Sequence, residues 1–396
     1  MDILYSFHNN MLRRANNRFY RFLYGEINWN QPLVAIKGPR GAGKTTLMLQ
    51  RIRYHLKGSP NETLYISADH HWFYTHTLAE TADDFAKGGG KNIFIDEVHK
   101  YPHWSREIKN MHDAWPDLKI VISGSSALEL YRGEADLSRR LITYNLPGMS
   151  FREYLQMNGT GSYPVVKLSD IKKEHLRFTR EFTHTQRPLP AFKHYLQFGY
   201  LPFYKPGNEK EYLLKLLQVI STTIETDLAI IEGFNAGTAQ KVKKLLGVIS
   251  ESTPFKPNIA ALARKLDAGR DSVYEWITVL NSARMINTLT KEGKGISTLQ
   301  KPEKIFLENT NQAYALKSAP DMGTLRETFL FNQLTNAGIT TTYPGEGDFK
   351  TDSYLIEVGG KNKALDMAKE DYLVAADDIE NGYRNKIPLW LFGFLY

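Results

Sequence analysis

Leu33-Val34-Ala35-Ile36-Lys37-Gly38-Pro39-Arg40-Gly41-Ala42-Gly43-Lys44-Thr45-Thr46 is the stretch on which the fold turns. Its first five residues form an apolar run of strand length. Residues 38–45 then match G-x4-G-K-[ST], and an amphipathic helical pattern follows over 45–56. Strand, glycine-rich turn and helix in that order can cradle a phosphate. The glycines let backbone N–H groups turn inward, and the helix points its positive end at the same anion. Gly38, Pro39, Arg40, Gly41, Ala42, Gly43, Lys44, Thr45 and Thr46 are therefore the expected nucleotide-binding loop. Lys44 is suited to bridge the β- and γ-phosphates, and the Thr45 hydroxyl to ligate Mg²⁺. The competing reading is a glycine-rich turn that binds nothing.

Further apolar runs follow at 63–67 (TLYIS), 92–96 (NIFID), 119–123 (KIVIS) and 141–146 (LITYNL), with a helical pattern over 75–87 and a forced break at Gly88-Gly89-Gly90. Strands alternating with helices predict an α/β domain with a parallel sheet covered on both faces. The run at 92–96 delivers Asp96 to the carboxyl end of its strand, where it would hold the Mg²⁺ shell. Glu97 follows, placed to polarise an attacking water; hydrolysis needs that second carboxylate, whereas binding does not. The next strand ends in Ser123-Gly124-Ser125-Ser126, whose hydroxyls suit a γ-phosphate contact or, equally, a helix cap. Arg139 and Arg140 precede the fifth run. They read either as a solvated basic turn or as a source of an arginine that stabilises transition-state charge.

Pro147-Gly148 closes this block. Residues 151–253 read as mostly helical, and Pro254 and Pro257 mark a linker. Over 258–307, Asn258 caps one expected helix, Asp271 caps a second, and strands at 285–290 and 305–307 flank a tip at 291–295. This is a helix-turn-helix pattern with a wing. Asp271 and Glu275 on the second helix oppose phosphate contact, so DNA binding and protein packing both stand. In the tail, Glu327 on a helix, Asp348 and Glu357 on adjacent strands, and Lys361 resemble the PD-(D/E)xK nuclease core. The acids there would share Mg²⁺ and the lysine would steady a water. Gly359 occupies the position two past Glu357 where such a core carries its lysine, so weak or absent DNA cleavage is expected. The histidines of 69–76 (DHHWFYTH) read as a loop or partner surface rather than a zinc site. The lysines of 241–244 read as a solvated helix face.

The chain has 396 residues with Lys plus Arg at 50 against Asp plus Glu at 43, a net charge of +7 that suits an anionic partner without requiring one. It contains no cysteine, which excludes disulfides and cysteine-ligated zinc and fits a reducing, cytoplasmic setting. The start lacks the apolar core of a signal peptide, and no run reaches the length of a membrane span.

The runs 38–47 (GPRGAGKTTL), 92–104 (NIFIDEVHKYPHW), 122–130 (ISGSSALEL), 136–155 (DLSRRLITYNLPGMSFREYL) and 301–311 (KPEKIFLENTN) resemble prokaryotic ATPases of the AAA+ superclass that carry a DUF4143 C-terminal region. The resemblance implies a P-loop sheet in which a sensor strand separates the Asp96-Glu97 strand from the phosphate-loop strand. It also implies Glu97 as the catalytic acid–base residue, Ser123 or Ser125 as the sensor, and Arg140 as the finger. The family usually reads Gly-Arg where this chain has Arg139-Arg140. ATP rather than GTP follows from the resemblance; the sequence itself has no N-K-x-D run. The expected layout is a P-loop ATPase domain over 1–150, a helical domain over 151–253, a winged-helix-like domain over 254–308 and a nuclease-like α/β domain over 309–396. The expected function is Mg²⁺-dependent ATP binding and hydrolysis that drives a conformational change on a nucleic-acid or protein partner, with a finger supplied either by the same chain or, in a homo-oligomer, by a neighbouring copy. The alternatives are a slow nucleotide-dependent protein-binding switch and an ATP-regulated DNA nuclease.

Overall fold

The structure is a computed structural model, and it describes all residues except 17, 57, 59, 125–136, 138, 232, 252–253, 293–300 and 365–370, together with the side chains of 60 and 230. The chain divides into two units, one of residues 1–147 with 230–232 and one of residues 148–229 with 233–396. The expected boundaries at 253 and 308 fall inside the second unit.

In the first unit the strands are β1 (Leu33–Lys37), β2 (Thr63–Ser67), β3 (Asn92–Asp96), β4 (Lys119–Gly124) and β5 (Ile142–Asn145). Their order is β2-β3-β4-β1-β5, and every pair is parallel. Strand alternation sends Leu33, Ala35, Leu64, Ile66, Ile93, Ile95, Ile120 and Ile122 into one apolar layer. Val34, Ile36, Tyr65, Phe94 and Val121 enter the other. Helices α1 (Asp2–Leu12), α2 (Leu23–Glu26), α3 (Lys44–Gln50), α4 (Leu78–Lys87) and α5 (Trp104–Ala114) accompany the sheet. The sheet register sets Ser67 beside Asp96 and Ser123 beside Ile36, so the carboxyl ends of four strands meet where chemistry was expected.

Two expected helices are shorter than their patterns. The one expected at 75–87 starts at Leu78, because the Thr77 hydroxyl accepts from the Glu80 amide while the Glu80 carboxylate accepts from the Thr77 amide. The one expected to reach residue 56 ends as α3 at Gln50 and continues over Arg51–His55 with wider, π-helical turns.

The second unit begins with α6 (Phe151–Met157), α7 (Leu168–Thr183), α8 (Pro188–Phe198), α9 (Glu209–Thr222) and α10 (Ala236–Glu251). Next come α11 (Ile259–Lys265), α12 (Arg270–Ser282) and the antiparallel pair β6 (Ile286–Leu289) and β7 (Lys304–Leu307). The Asn258 side chain caps α11 by accepting from the Ala261 amide at 3.1 Å. Asp271 does not cap α12: Gly269 holds the cap position without a side-chain bond, and Asp271 lies in the first turn, where its charge suits the helix dipole. Residues 293–295 of the expected wing tip lie outside the described residues. The tail contains α13 (Thr310–Leu316), α14 (Met322–Asn336) and strands β8 (Thr341–Thr342), β9 (Phe349–Thr351), β10 (Leu355–Gly359), β11 (Tyr372–Ala376) and β12 (Lys386–Pro388). Their sheet has the order β12-β11-β10-β9-β8, antiparallel from β8 to β10 and parallel from β10 to β12.

A polar group lies buried inside this second unit. Glu308 is 1% exposed. Its carboxylate Oε1 accepts from the Tyr200 hydroxyl at 3.0 Å and lies 3.6 Å from the Arg284 guanidinium. Its carbonyl accepts from the side-chain amides of Asn332 at 2.7 Å and Asn287 at 3.3 Å. Among the described residues no helix is long and apolar enough to cross a membrane.

Candidate active site

The phosphate loop leaves β1 at Gly38, where a Cβ would lie 2.1 Å from the Leu146 carbonyl oxygen; only glycine fits so close an approach. Gly41 and Gly43 have φ of 82° and 98°, the left-handed region that glycine enters without strain. Lys44 opens α3 and is 5% exposed. Its ammonium donates to the carbonyls of Gly38 at 2.8 Å and Pro39 at 3.1 Å. Arg21, also 5% exposed, ties the loop from outside by donating to the Ala42 carbonyl and, at 2.8 Å, to the Pro147 carbonyl. No pattern around Arg21 announces this role.

Asp96 ends β3 and is 3% exposed. One carboxylate oxygen, Oδ2, accepts from the Thr45 hydroxyl at 2.5 Å and from the Tyr65 hydroxyl at 2.7 Å. The other, Oδ1, accepts from the Ser123 hydroxyl and from the Glu97 amide at 3.1 Å. The two expected Mg²⁺-holding groups, Thr45 and Asp96, are thus in contact, and Ser123 on the neighbouring strand joins them. A hydroxyl and a carboxylate under a phosphate loop suit Mg²⁺, which takes few protein oxygens and completes its shell with water and phosphate.

Glu97 adopts φ of 53°, a left-handed conformation unusual outside glycine. Its carboxylate lies 3.6 Å from the Lys100 ammonium and 3.8 Å from His99. Lys100 is held in turn by Asp69 at 2.6 Å. Burial raises the Glu97 pKa, while Lys44, Lys100 and Arg40 pull it down and Asp96 pushes it up. A carboxylate with a raised pKa is the better proton acceptor near neutral pH.

Arg140 forms a forked pair with Asp113 of α5 at 2.8 and 3.1 Å, and Arg139 is exposed. Ser125 lies outside the described residues. In the loop of 69–76, His70 caps the Trp72 amide and His76 stacks on Trp72 at 3.7 Å, so these side chains serve local packing.

The tail assembles a different set from the one expected. Glu327 on α14 pairs with Lys304 at 3.1 Å, and Lys304 also lies 3.6 Å from Asp348. Asp348 accepts from the Val358 amide at 2.9 Å. The lysine against Glu357 is Lys363, at 2.7 Å, and not Lys361. The strand ends at Gly359 and the chain turns back, with the Lys363 amide donating to the Gly360 carbonyl at 3.0 Å. Lys361 lies beyond the strand end, where it is exposed and acts electrostatically on Asp378. Among the described residues no group of three or more His, Cys, Asp or Glu side chains is arranged to hold a metal ion.

Tyr65, Arg21, Lys100, Lys304 and Lys363 were not expected at either site. Only Tyr65 had a legible signal. It pairs with Phe94 across β2 and β3, and residues two apart share a face, so it stands diagonal to Asp96.

Residues 30–155 match the family model described as an AAA domain. Two curated relatives come from Methanocaldococcus jannaschii. Uncharacterized protein MJ1637 is 27% identical over 320 residues, covering 74% of this chain and 66% of that protein. Uncharacterized protein MJ1544 is 22% identical over 348 residues, covering 83% and 73%. The chain therefore spans a little under two thirds of the length of the first relative. Among solved structures, PCH-2 of C. elegans aligns at a TM-score of 0.26 and 14% identity over 70% of this chain and 67% of that one. AMPPCP-bound DnaA from Aquifex aeolicus aligns at 0.23 and 12% over 70% and 87%. Both scores are too low for an overall likeness to follow.

Proposed function

We propose that the chain binds Mg²⁺·ATP at this loop and hydrolyses it, and that turnover drives a conformational change on a partner. The observation that carries the reading is the 2.5 Å contact of Thr45 with Asp96 directly beside the buried Lys44. The AAA domain match over 30–155 supports it. Lys44 would exchange the Gly38 and Pro39 carbonyls for β- and γ-phosphate oxygens. Thr45 and Asp96 would hold Mg²⁺, which neutralises charge on the phosphates. Glu97, released from Lys100, would take a proton from the attacking water, and Ser123 would hold Asp96 in place. Arg140, or its neighbour Arg139, would serve as the finger of an adjoining copy after leaving Asp113, which makes homo-oligomerisation part of the reading. The setting we infer is the cytoplasm.

A protein partner is favoured over DNA by the exposed face of α12. It presents Arg270, Asp271, Tyr274, Glu275 and Thr278, and its two acids would meet phosphates with repulsion. We read 258–307 as a winged-helix-like packing module on that ground, and the tail as a nuclease-like fold whose carboxylates are neutralised by Lys304 and Lys363.

Calorimetric ATP titration beside phosphate release tests the assignment. Lys44→Ala should abolish binding. Glu97→Gln should bind ATP and lose turnover by about 100-fold or more, the scale of general-base catalysis. Normal turnover in Glu97→Gln refutes the role of Glu97. Phosphate release that rises on adding double-stranded DNA would replace the protein partner with nucleic acid.

A further inference from the structure

Asp96 receives four hydrogen bonds, which fills the acceptor capacity of a carboxylate. Three donors come from the expected machinery: Thr45, Ser123 and the amide of Glu97. The fourth is the Tyr65 hydroxyl, from a strand that no catalytic expectation touches. Resting on the reading of this site as a Mg²⁺·nucleotide site, we propose that Tyr65 is a positioning residue for the metal: its hydroxyl holds Asp96 Oδ2 turned toward Thr45.

The geometry separates the two carboxylate oxygens. Oδ1 is held by Ser123 and the Glu97 amide, both fixed to strand ends. Among the described residues, Oδ2 is shared by Thr45 and Tyr65. A metal ion would draw on a lone pair of the Thr45 oxygen, whereas Tyr65 would take no part in coordination and would serve only to fix where Oδ2 points. Tyr65 is built for a fixed role. It is 1% exposed, its ring lies in the apolar layer with Phe94 and Val121, and its amide donates to His8 Nδ1 of α1 at 2.9 Å. Phe7 of the same helix stacks beside the ring with centroids 6.0 Å apart. Partners that orient a metal-holding group commonly change metal affinity by 10-fold or more when lost.

The rival account is that Asp96 merely satisfies a buried phenol. Tyr65→Phe removes one oxygen and keeps the ring, so it separates the two. In the full chain, a fluorescent ADP analogue is titrated in EDTA and then with Mg²⁺. Metal-free nucleotide affinity should match wild type, while half-saturation by Mg²⁺ should rise about 10-fold. Mn²⁺ bound with ADP, followed by electron paramagnetic resonance, should weaken in parallel. In an Asp96→Asn background, Tyr65→Phe should add nothing, because the effect runs through that carboxylate. A Tyr65→Phe curve that overlays wild type, or binds Mg²⁺ more tightly, overturns the proposal while leaving the nucleotide reading intact. Wild-type protein that shows no Mg²⁺-dependent nucleotide binding overturns both.

Discussion

Gly38 has no room for a side chain, since a methyl group there would overlap the Leu146 carbonyl. Gly38→Ala must therefore push β5 away from β1 or deform the loop. Overpacking of this kind costs about 1–3 kcal/mol. Urea unfolding of the variant should show a lower midpoint, and the same sample should bind ATP more weakly, because strand end and loop move together. Lys44, Thr45, Asp96 and Glu97 could be named as candidates because each sits at a fixed offset from a glycine-rich turn or a strand end. Arg21 was not, because its partners are carbonyls of residues 42 and 147, and backbone acceptors leave no mark in sequence. Lys361 was named as the next lysine after Glu357, and it lies beyond Gly359, where the strand ends.

At the scale of elements, periodicity located the strands of the first unit within a residue or so, and caps decided the helices. The Thr77–Glu80 reciprocal bonds were written in the sequence, whereas the missing side-chain cap of α12 was not. The tail sets Glu327 on α14, Asp348 in the bend just before β9 rather than on a strand, and Glu357 on β10, but inserts Lys304 from β7 and Lys363 from the turn after β10. Each ammonium occupies a carboxylate that a metal would need. Incubation of the full chain with linear and supercoiled DNA and Mg²⁺ or Mn²⁺ should leave both intact on a gel. Cleavage that vanishes in Glu357→Ala would show that the lysines yield to metal.

At the scale of the whole molecule, the buried Glu308 gives the second unit a pH dependence. Burial pushes its pKa up to about 7, against the pull of Arg284 and Tyr200. In the unfolded chain it would titrate near 4.3. Between those values the folded state holds a proton that the unfolded state releases, so this group's contribution is greatest below the unfolded pKa and is lost as pH rises through 7. Urea unfolding should show Glu308→Gln gaining stability relative to wild type between pH 6 and pH 8, by about 1 kcal/mol. A parallel pH response in the two proteins would rule Glu308 out as the source. The same unit also joins residues that are far apart in the chain. Arg152 donates to the carbonyl of Tyr396 at 3.0 Å, and the Tyr396 hydroxyl donates to the carbonyl of Gly148 at 3.2 Å. These pairs are 244 and 248 residues apart. A ribosome adding about 5–20 residues per second needs roughly 12–50 s to supply that partner. For that interval Phe151 has emerged without the ring of Phe394, which later packs edge-on against it at 6.0 Å. A newborn chain therefore depends on whatever shields nascent hydrophobic surface until translation catches up.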